Sequence, residues 1–258
     1  MHVALTIAAS DPSGGAGIQV DLAVFRELGV YGTSVVTNVT AQNTRGFDKI
    51  CKVPPRIIAA QIDAVARDFR VGACKIGVLY APRAVAVVAE RIRRREIPRV
   101  VFDPVMAAKD GRVLMTPNAL KRVKRLLLPR TMVITPNFSE ASVLSGVDVK
   151  DSATAKEAAK VLAEMGPYAV LIKGGHAEGE PVDILYHENQ FYEFAGKRSD
   201  KHMHGTGCVL SAAITARLAV GDDLLSAVEF AKRYVERAIE RSAALGKGQF
   251  TLFVGGLG

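Results

Sequence analysis

Residues 3–29, VALTIAASDPSGGAGIQVDLAVFRELG, contain a strand, a glycine-rich turn and a helix in direct succession. The apolar run 3–8 is typical of a buried strand. Ile18, Leu22 and Phe25 then recur at the i, i+4, i+7 spacing of an amphipathic helix, which a glycine ends. This order of elements is the first half of a strand–helix–strand unit.

The same alternation continues to the end of the chain. Further strands are predicted at residues 34–39, 72–77, 100–102, 132–135 and 169–173, and helices at 58–69, 85–92, 116–127, 138–145 and 152–165. Runs 182–187 and 190–195 predict a hairpin at a sheet edge, and two helices around 210–218 and 228–239 follow it. These units predict an α/β fold with a mostly parallel sheet and helices on both faces. Because no internal repeat or long linker interrupts them, residues 1–258 are expected to form one domain.

Composition narrows the class of protein. Of the 258 residues, 49% are hydrophobic and 23% are charged, as in an ordinary globular protein. No apolar run is long enough to span a membrane, and the N-terminal residues do not resemble a secretory signal. The three cysteines are far apart in the sequence, which argues against a disulfide framework and predicts a cytoplasmic location.

The formal net charge of +8 raises the question of a nucleic-acid partner. Basic residues, however, concentrate at the ends of predicted helices, in runs 91–95 and 121–125, where cations interact favourably with the helix dipole. No basic stripe is interleaved with aromatic residues. A solvated surface is therefore the preferred interpretation, and no nucleic-acid partner is predicted.

The turn at residues 10–19, SDPSGGAGIQ, lies where ligands bind in parallel sheets, beyond the carboxyl end of a strand. Its glycines would let the backbone approach a ligand and leave N–H groups free at a helix start. The spacing matches neither the dinucleotide-binding motif nor the P-loop. On these residues alone, a ligand site and a purely structural turn both remain open.

A second glycine-rich helix start, HGTGC at residues 204–208, follows a polar loop. The N–H groups of Gly205, Thr206 and Gly207 would converge on one point and form an anion hole. Cys208 would lie in the first helical turn, where the helix field is expected to lower the pKa of the thiol. The alternative is that Cys208 is a small buried hydrophobic residue.

Polar residues also stand where other strands end. Asp103 and Glu140 are candidate ligands of Mg²⁺, directly or through water, and Lys173 could meet a phosphate. On these residues alone, Asp103 could instead be a turn carboxylate, Glu140 a charge at a helix start and Lys173 a surface lysine. Asp21 beside the apolar helix stripe could line a pocket or flank the core, and the amide of Gln42 could pair with a heterocycle. The two histidines of the sequence HMH at 202–204 are a weak metal pair because no third ligand is evident.

Taken together, these segments resemble the hydroxymethylpyrimidine/phosphomethylpyrimidine kinases of thiamine biosynthesis, in the ribokinase-like superfamily. The matching stretches are SDPSGGAGIQ (10–19) with Asp21, TAQNT (40–44), KIG (75–77), FDPV (102–105), TPN (135–137) with Glu140, KGGH (173–176) and HGTGC (204–208). They follow the order and spacing of the family from residue 4 to about residue 220.

The resemblance implies a three-layer αβα fold and two successive phosphoryl transfers from ATP with Mg²⁺. The hydroxymethyl group of 4-amino-5-hydroxymethyl-2-methylpyrimidine would become the monophosphate and then the diphosphate. A homodimer is also expected from the family. These are implications of the resemblance and do not follow from composition or periodicity.

The resemblance also gives each matching residue a role. Cys208 would be the base, and the Gly205 and Gly207 amides would form the anion hole. Lys173 would contact the ATP phosphates, and Asn137 and Thr206 would also bind the nucleotide. The substrate would be read by Gln42 and enclosed by Asp21, Val105, Val78 and Ala9, while Asp103 and Glu140 would organise the Mg²⁺ region.

Three positions depart from the family pattern, and the last of them, in the loop expected to cover the site, leaves the contacts of that loop and the substrate preference open. Ala9 stands where the family usually has glycine, Val78 where it often has methionine, and HMH at 202–204 where it usually has Asn-Thr-His. The closest rival function is pyridoxal kinase. A rival of another class is a basic nucleic-acid-binding or regulatory protein that retains a kinase fold without its activity.

Overall fold

A computed structural model describes residues 1–108, 111–174, 181–197, 199 and 203–254. Within them one nine-stranded sheet has the order β3-β2-β1-β4-β5-β6-β7-β8-β9. Its strands are β1 (Val3–Ser10), β2 (Tyr31–Asn43), β3 (Gly46–Lys52), β4 (Ala73–Ile76), β5 (Val100–Phe102), β6 (Val133–Ile134), β7 (Ala169–Ile172), β8 (Val182–His187) and β9 (Gln190–Ala195).

The six central strands, from β2 to β7 in the sheet order, run parallel, whereas β3, β8 and β9 are antiparallel to their neighbours. A separate parallel pair joins β10 (Met203–His204) to β11 (Phe250–Thr251). The predicted hairpin is therefore confirmed as β8 and β9. Its turn residues Glu188 and Asn189 have φ values of 49° and 61°, which suit a tight hairpin turn.

The helices are α1 (Gly17–Glu27), α2 (Pro55–Asp68), α3 (Pro82–Arg94), α4 (Pro117–Arg122), α5 (Phe138–Ser145), α6 (Ser152–Ala163), α7 (Thr206–Val220) and α8 (Leu224–Glu240). α2 to α6 cover one face of the sheet, and α1, α7 and α8 cover the other. The strands serve both faces: Phe102 packs into the first core and its neighbour Val101 into the second. The predicted three-layer αβα fold is confirmed.

Several local features differ from the sequence prediction. The buried residues of α1 are Val20, Asp21, Val24 and Phe25, so the apolar stripe is rotated from the predicted one. The predicted helix 116–127 is α4 followed by a π-helical turn. Strands β3, β10 and β11 were not predicted. β3 has one buried residue, Phe47, and so lacks the apolar alternation that a sequence pattern requires.

Candidate active site

Two glycine-rich segments pack against each other at the carboxyl edge of the sheet. Gly205 has a φ of 85°, and a Cβ placed on it would lie 1.8 Å from the carbonyl oxygen of Gly15. Gly17 has a φ of 62°, and its Cβ would lie 2.3 Å from the carbonyl oxygen of Ala9. Only glycine fits these left-handed, crowded positions. The starts of α1 and α7 are thereby brought to the same place.

Both helix starts lack a side-chain cap. The N-cap residues are Ala16 for α1 and Gly205 for α7, and neither supplies a hydrogen-bonding side chain. First-turn N–H groups have no partner within their own helix, and the helix dipole favours negative charge there. A Cβ on Gly207 would lie 3.0 Å from Lys173 Nζ, so glycine keeps the space above this ammonium open. The arrangement suits a phosphate group.

Lys173 connects two carboxylates beneath this space. Its Nζ lies 2.9 Å from Oδ1 of Asp103 and 4.0 Å from Oε2 of Glu140. Thr135 also donates to Oδ1 of Asp103 at 3.3 Å, and Ser211 Oγ lies 3.4 Å from Oδ2. The predicted residues Asp103, Glu140 and Lys173 are therefore neighbours, although they come from three separate segments.

Neighbouring strand ends hold these side chains in position. Asp103 directly follows β5, and its N–H donates to the carbonyl of Ile76 in β4. Asn137 forms a bridge with Lys173 after β6 and β7. Asn137 also caps α5 through a reciprocal capping box with Glu140, in which each side chain accepts from the other residue's N–H. Asn137 thus lies beside Lys173.

The three charged groups perturb one another's protonation. Burial opposes ionisation of Asp103, but the Lys173 and Lys75 ammonium groups outweigh it and lower the pKa of Asp103. Burial raises the pKa of Glu140 to about 7; Lys173 opposes this rise and the Asp103 carboxylate adds to it. Burial disfavours the charge of Lys173, yet the two carboxylates raise the pKa of Lys173 above its ordinary value. Of these three groups, Glu140 is the one whose pKa is shifted toward neutral pH.

Cys208 occupies the first turn of α7 and is half-buried. Burial raises the pKa of its thiol to about 11; the Lys75 ammonium opposes the rise, whereas the carboxylates of Asp103 and Asp21 add to it. The expectation of a lowered thiol pKa was wrong. Removal of the thiol from water and two nearby carboxylates outweigh the favourable field of the helix start.

Asp21 is completely buried and forms an ion pair with Lys75, which is also completely buried. Thr6 donates to its second carboxylate oxygen at 2.6 Å. Burial disfavours the charge of Lys75, but the Asp21 carboxylate outweighs it and raises the pKa of Lys75. The structure therefore places Asp21 within the core, near enough to affect the pKa of Cys208, with its oxygens engaged by protein groups.

The other expected substrate residues come from four neighbouring strands. Ala9 is buried at the end of β1, and Gln42 lies near the end of β2. Val78 and Val105 are half-buried just beyond β4 and β5. The Val78 carbonyl accepts from Thr37 at 2.8 Å, and the Val105 N–H donates to the carbonyl of Asp103 at 2.8 Å. These four residues follow the carboxyl edge from β2 to β5.

A buried hydrogen-bonding centre at Asp11 was not predicted. Its carboxylate accepts from the Ser13 N–H at 2.8 Å and the Ser13 hydroxyl at 2.7 Å, and it lies 3.0 Å from His204 Nε2. The Gln42 amide also favours its ionised form. Burial opposes that charge, but His204 and Ser13 outweigh it and lower the pKa of Asp11. Asp11 thus links both glycine segments to the expected substrate-reading residue.

The structure describes some, but not all, of the other residues to which the sequence analysis gave a role. Thr206 begins α7, beside Gly205 and Gly207, and its N–H belongs to the uncapped turn. His204 contacts Asp11, while His202, the other member of the proposed metal pair, lies outside the described residues, as do Gly175 and His176 of the KGGH segment. Within the described ranges, no group of three acidic, histidine or cysteine side chains is arranged to hold a metal ion.

The chain matches the family model described as phosphomethylpyrimidine kinase over residues 11–252. The chain belongs to this family. It is 41% identical over 251 residues to the hydroxymethylpyrimidine/phosphomethylpyrimidine kinase of Bacillus subtilis, covering 96% of this chain and 93% of that one. Two further relatives are bifunctional thiamine biosynthesis proteins, of which the chain spans 50% and 46%.

Solved structures agree with this assignment. Phosphomethylpyrimidine kinase from Clostridium difficile has a TM-score of 0.84 and 39% identity, covering 93% of this chain and 100% of that one. An ADP complex of Bacillus subtilis pyridoxal kinase has a TM-score of 0.92 and 35% identity, covering 98% of this chain and 97% of that one. The predicted family, its kinase chemistry and its use of ATP are confirmed. None of the helices in the described residues is long and apolar enough to cross a bilayer.

Proposed function

We propose that this chain transfers a phosphoryl group from ATP to the hydroxymethyl group of 4-amino-5-hydroxymethyl-2-methylpyrimidine, and then a second one to the monophosphate. The observation that supports this most is the placement of Lys173 between Asp103 and Glu140, below the uncapped start of α7. Residues 1–258 would act as one kinase domain. The half-buried Cys208 lies at the same helix start.

In the first step the substrate oxygen attacks the γ-phosphorus, an O–P bond forms, and the bond from that phosphorus to the bridging oxygen of ADP breaks. The hydroxyl proton passes to the Cys208 thiolate, which forms as a minor species when the thiol, whose pKa burial raises to about 11, releases its own proton to water. The N–H groups of Gly205, Thr206 and Gly207 and the Lys173 ammonium stabilise the charge on the transferring group. Full deprotonation before attack is not required, because phosphoryl transfer depends mainly on positioning and charge stabilisation.

We also propose that Mg²⁺ accompanies ATP and is held from the protein side by Asp103 and Glu140. Mg²⁺ bound with nucleotide needs only one or two protein carboxylates, because phosphates and waters supply the other ligands. Both carboxylates are buried beside the expected phosphate position, so they fit a direct or water-mediated contact. The ion would neutralise phosphate charge; Lys173 and the helix N–H groups orient the phosphates.

The pyrimidine alcohol is preferred over pyridoxal because the curated relatives that the chain covers nearly completely are named as pyrimidine kinases. A side-by-side ATP-consumption assay with both alcohols tests this choice. We expect a higher kcat/KM for the pyrimidine, and a tenfold preference for pyridoxal would overturn the assignment. Adding the pyrimidine monophosphate as a third substrate tests the second transfer.

A homodimer and a cytoplasmic location remain predictions from the family resemblance and the cysteine pattern. Light scattering during gel filtration measures the mass directly, and a monomer of 27.6 kDa would contradict the dimer. The cytoplasmic location rests only on the odd number and wide spacing of the three cysteines in the sequence.

A further inference from the structure

The Asp11 carboxylate constrains the side chains that surround it, because it can accept hydrogen bonds and has none to donate. Asp11 is 1% exposed and burial opposes its charge, but hydrogen bonds from His204 and Ser13 outweigh burial and lower the pKa of the carboxyl. The group is therefore ionised at neutral pH. An ionised carboxylate offers only lone pairs. Each group that hydrogen-bonds to Asp11 must accordingly present a proton to it.

This requirement fixes the position of the proton on His204. Nε2 of His204 lies 3.0 Å from Oδ2 of Asp11, and a hydrogen bond forms there only if Nε2 carries the proton. The ring packs directly against Gly15, since a Cβ placed on this glycine would lie 2.5 Å from Cδ2 of the ring. His204 precedes Gly205, at which α7 begins. Asp11 thus holds the residue that leads into α7 in one orientation and one tautomer.

The same requirement applies to the amide of Gln42. The end of β2 lies beside the residue that precedes Asp11, because Val39 pairs with Ser10 and Thr40 Oγ1 donates to the Ser10 carbonyl at 2.8 Å. The Gln42 side chain hydrogen-bonds to the Asp11 carboxylate and helps to lower its pKa. Of the two ends of the amide, only the NH₂ group can donate to a carboxylate. The carbonyl oxygen of Gln42 is therefore the end that is turned away from Asp11.

Asp11 is itself held in place by the turn that follows β1. Its Oδ1 accepts from the Ser13 N–H at 2.8 Å and from the Ser13 hydroxyl at 2.7 Å. Its own N–H donates to Gln19 Oε1 at 2.9 Å, and Gln19 Nε2 donates to Ser10 Oγ at 2.7 Å. The two bonds from Ser13 occupy Oδ1 and leave Oδ2 for His204.

We propose that Asp11 is a positioning residue that determines substrate specificity through the orientation of the Gln42 amide. Because Asp11 takes the NH₂ end of the amide, the carbonyl oxygen of Gln42 is left to accept a hydrogen bond from the substrate. The preferred substrate is then a heterocycle that carries an amine at this position, as the aminopyrimidine alcohol does and pyridoxal does not. This inference rests on the proposed function, since it takes Gln42 as the residue that reads the substrate.

Binding titrations with two pyrimidine alcohols test the proposal. One is the 4-amino compound, and the other carries an oxo group in place of the amine. The wild type should bind the amine about tenfold more tightly. Asp11→Asn preserves the size of the side chain, but its amide can both donate and accept, so that Gln42 is free to turn and the preference should be lost. No preference in the wild type, or an unchanged preference in Asp11→Asn, overturns the proposal.

Ser13→Ala is the matched control for this change. The substitution removes one hydrogen bond to the same carboxylate and leaves that carboxylate an acceptor only. The variant should therefore keep the wild-type preference for the amine, even if both compounds bind less tightly. A purely structural role of Asp11 predicts equal weakening of both compounds in Asp11→Asn, and that outcome contradicts the proposal.

Nitrogen NMR shifts of the His204 ring give a readout that does not depend on the substrate. We expect Nε2 to be protonated in the wild type. The tautomer with the proton on Nδ1 should appear in Asp11→Asn, because the asparagine NH₂ can donate to Nε2. His204→Gln identifies the signals by removing them. An unprotonated Nε2 in the wild type overturns the proposal.

A phosphorylation assay with the same proteins separates this proposal from the proposed function. A wild type that prefers the amine in an Asp11-dependent way, but transfers no phosphate to the alcohol, would contradict the proposed function alone. A wild type that phosphorylates the aminopyrimidine alcohol, together with an Asp11→Asn variant of unchanged preference, would contradict the role of Asp11 alone.

Discussion

Lys173 Nζ lies 2.9 Å from Asp103 Oδ1, so the ends of two parallel strands, β7 and β5, are joined by a charge pair. The Lys173 side chain is 16% exposed and that of Asp103 is 1% exposed. Thr135 also donates to this carboxylate, which stabilises the partner of the Lys173 ammonium. If Lys173 binds the nucleotide as we propose, the same ammonium contributes both to the fold and to phosphate binding.

Lys173→Met is expected to weaken ATP binding about 10- to 100-fold, because one charge-assisted hydrogen bond to phosphate is lost. It should also lower the free energy of unfolding by about 3–5 kcal/mol, since Asp103 is left buried without its cation. Calorimetry of ATP binding and chemical denaturation measure the two effects.

Lys232→Met is the matched control for this change. Lys232 is 14% exposed and pairs with Asp183 at 2.8 Å; the same carboxylate accepts from the N–H of Gly174 beside Lys173, but the ion pair of Lys232 involves neither Asp103 nor Glu140. The Lys232→Met variant should lose a comparable free energy of unfolding and keep the ATP affinity of the wild type. Equal loss of ATP affinity in both variants would mean that Lys173 acts only through stability.

Cys208→Ala should reduce kcat about 10²- to 10⁴-fold, which corresponds to roughly 3–5 kcal/mol of barrier, if the sulfur accepts the hydroxyl proton. ATP affinity should not change, because the backbone amides of the helix start remain. Steady-state rates measure the change in kcat, and a separate binding titration measures the ATP affinity. Nearly full activity with normal ATP binding would remove Cys208 from the mechanism.

The pH dependence of the same reaction follows from the pKa of Cys208, which burial raises to about 11. Below that value the thiolate fraction rises about tenfold per pH unit. The logarithm of kcat should therefore rise with pH through the neutral range in the wild type, and this slope should disappear in Cys208→Ala. A wild-type profile that is flat between about pH 7 and 9 would argue against a thiolate base.

Glu140→Gln should change how stability depends on pH. Burial raises the pKa of Glu140 to about 7, above the ordinary value of 4.5, so the folded state binds this proton more tightly than the unfolded state. Its stabilising contribution is complete below about pH 4.5 and is lost as the pH rises through 7. Glutamine preserves the capping box and has no charge to bury.

Melting temperatures of the wild type and Glu140→Gln between pH 5 and pH 8 measure this effect. The wild type should lose about 2–3 kcal/mol relative to the variant over the range. Glu157→Gln, at an exposed position of α6, should follow the wild-type curve. Parallel curves for all three proteins would show that Glu140 is not the group responsible.

Gly205→Ala should abolish activity and destabilise the protein far more than Gly221→Ala. Both glycines cap α7, with φ values of 85° and 108°. A Cβ at Gly221 has no neighbour within 4 Å, whereas one at Gly205 would strike the Gly15 carbonyl. Gly221→Ala should thus cost only the strain of a left-handed alanine, about 1–2 kcal/mol, as measured by thermal unfolding. Similar losses in both variants would contradict the close packing of the two glycine segments.

The layered fold could be predicted because the parallel strands are short apolar runs and the helices repeat apolar residues at helical spacing. The edge strand β3 could not, because most of its residues are exposed. Strands β10 and β11 have two residues each, and their partners, such as Met203 and Phe250, are 47 positions apart in the sequence, which no local pattern indicates.

Many residues of the candidate site could be predicted because they lie at strand ends and helix starts, which local sequence patterns indicate. The contact between Asp11 and His204 spans 193 positions and emerges only in three dimensions. The Cys208 pKa depends on charges from other segments, which a helix-start argument omits. Lys75 did carry a local signal, since a lysine inside an apolar strand needs a buried partner, and Asp21 on the buried side of α1 is that partner.

The close approach of Gly205 to the carbonyl of Gly15 couples the two glycine segments, although 189 residues lie between these two glycines in the sequence. Neither half can change its backbone path without the other. A designer who wishes to transplant residues 203–208 from a relative would have to move residues 13–17 along with them. In natural variation, substitutions in one segment are likewise expected to be accompanied by substitutions in the other.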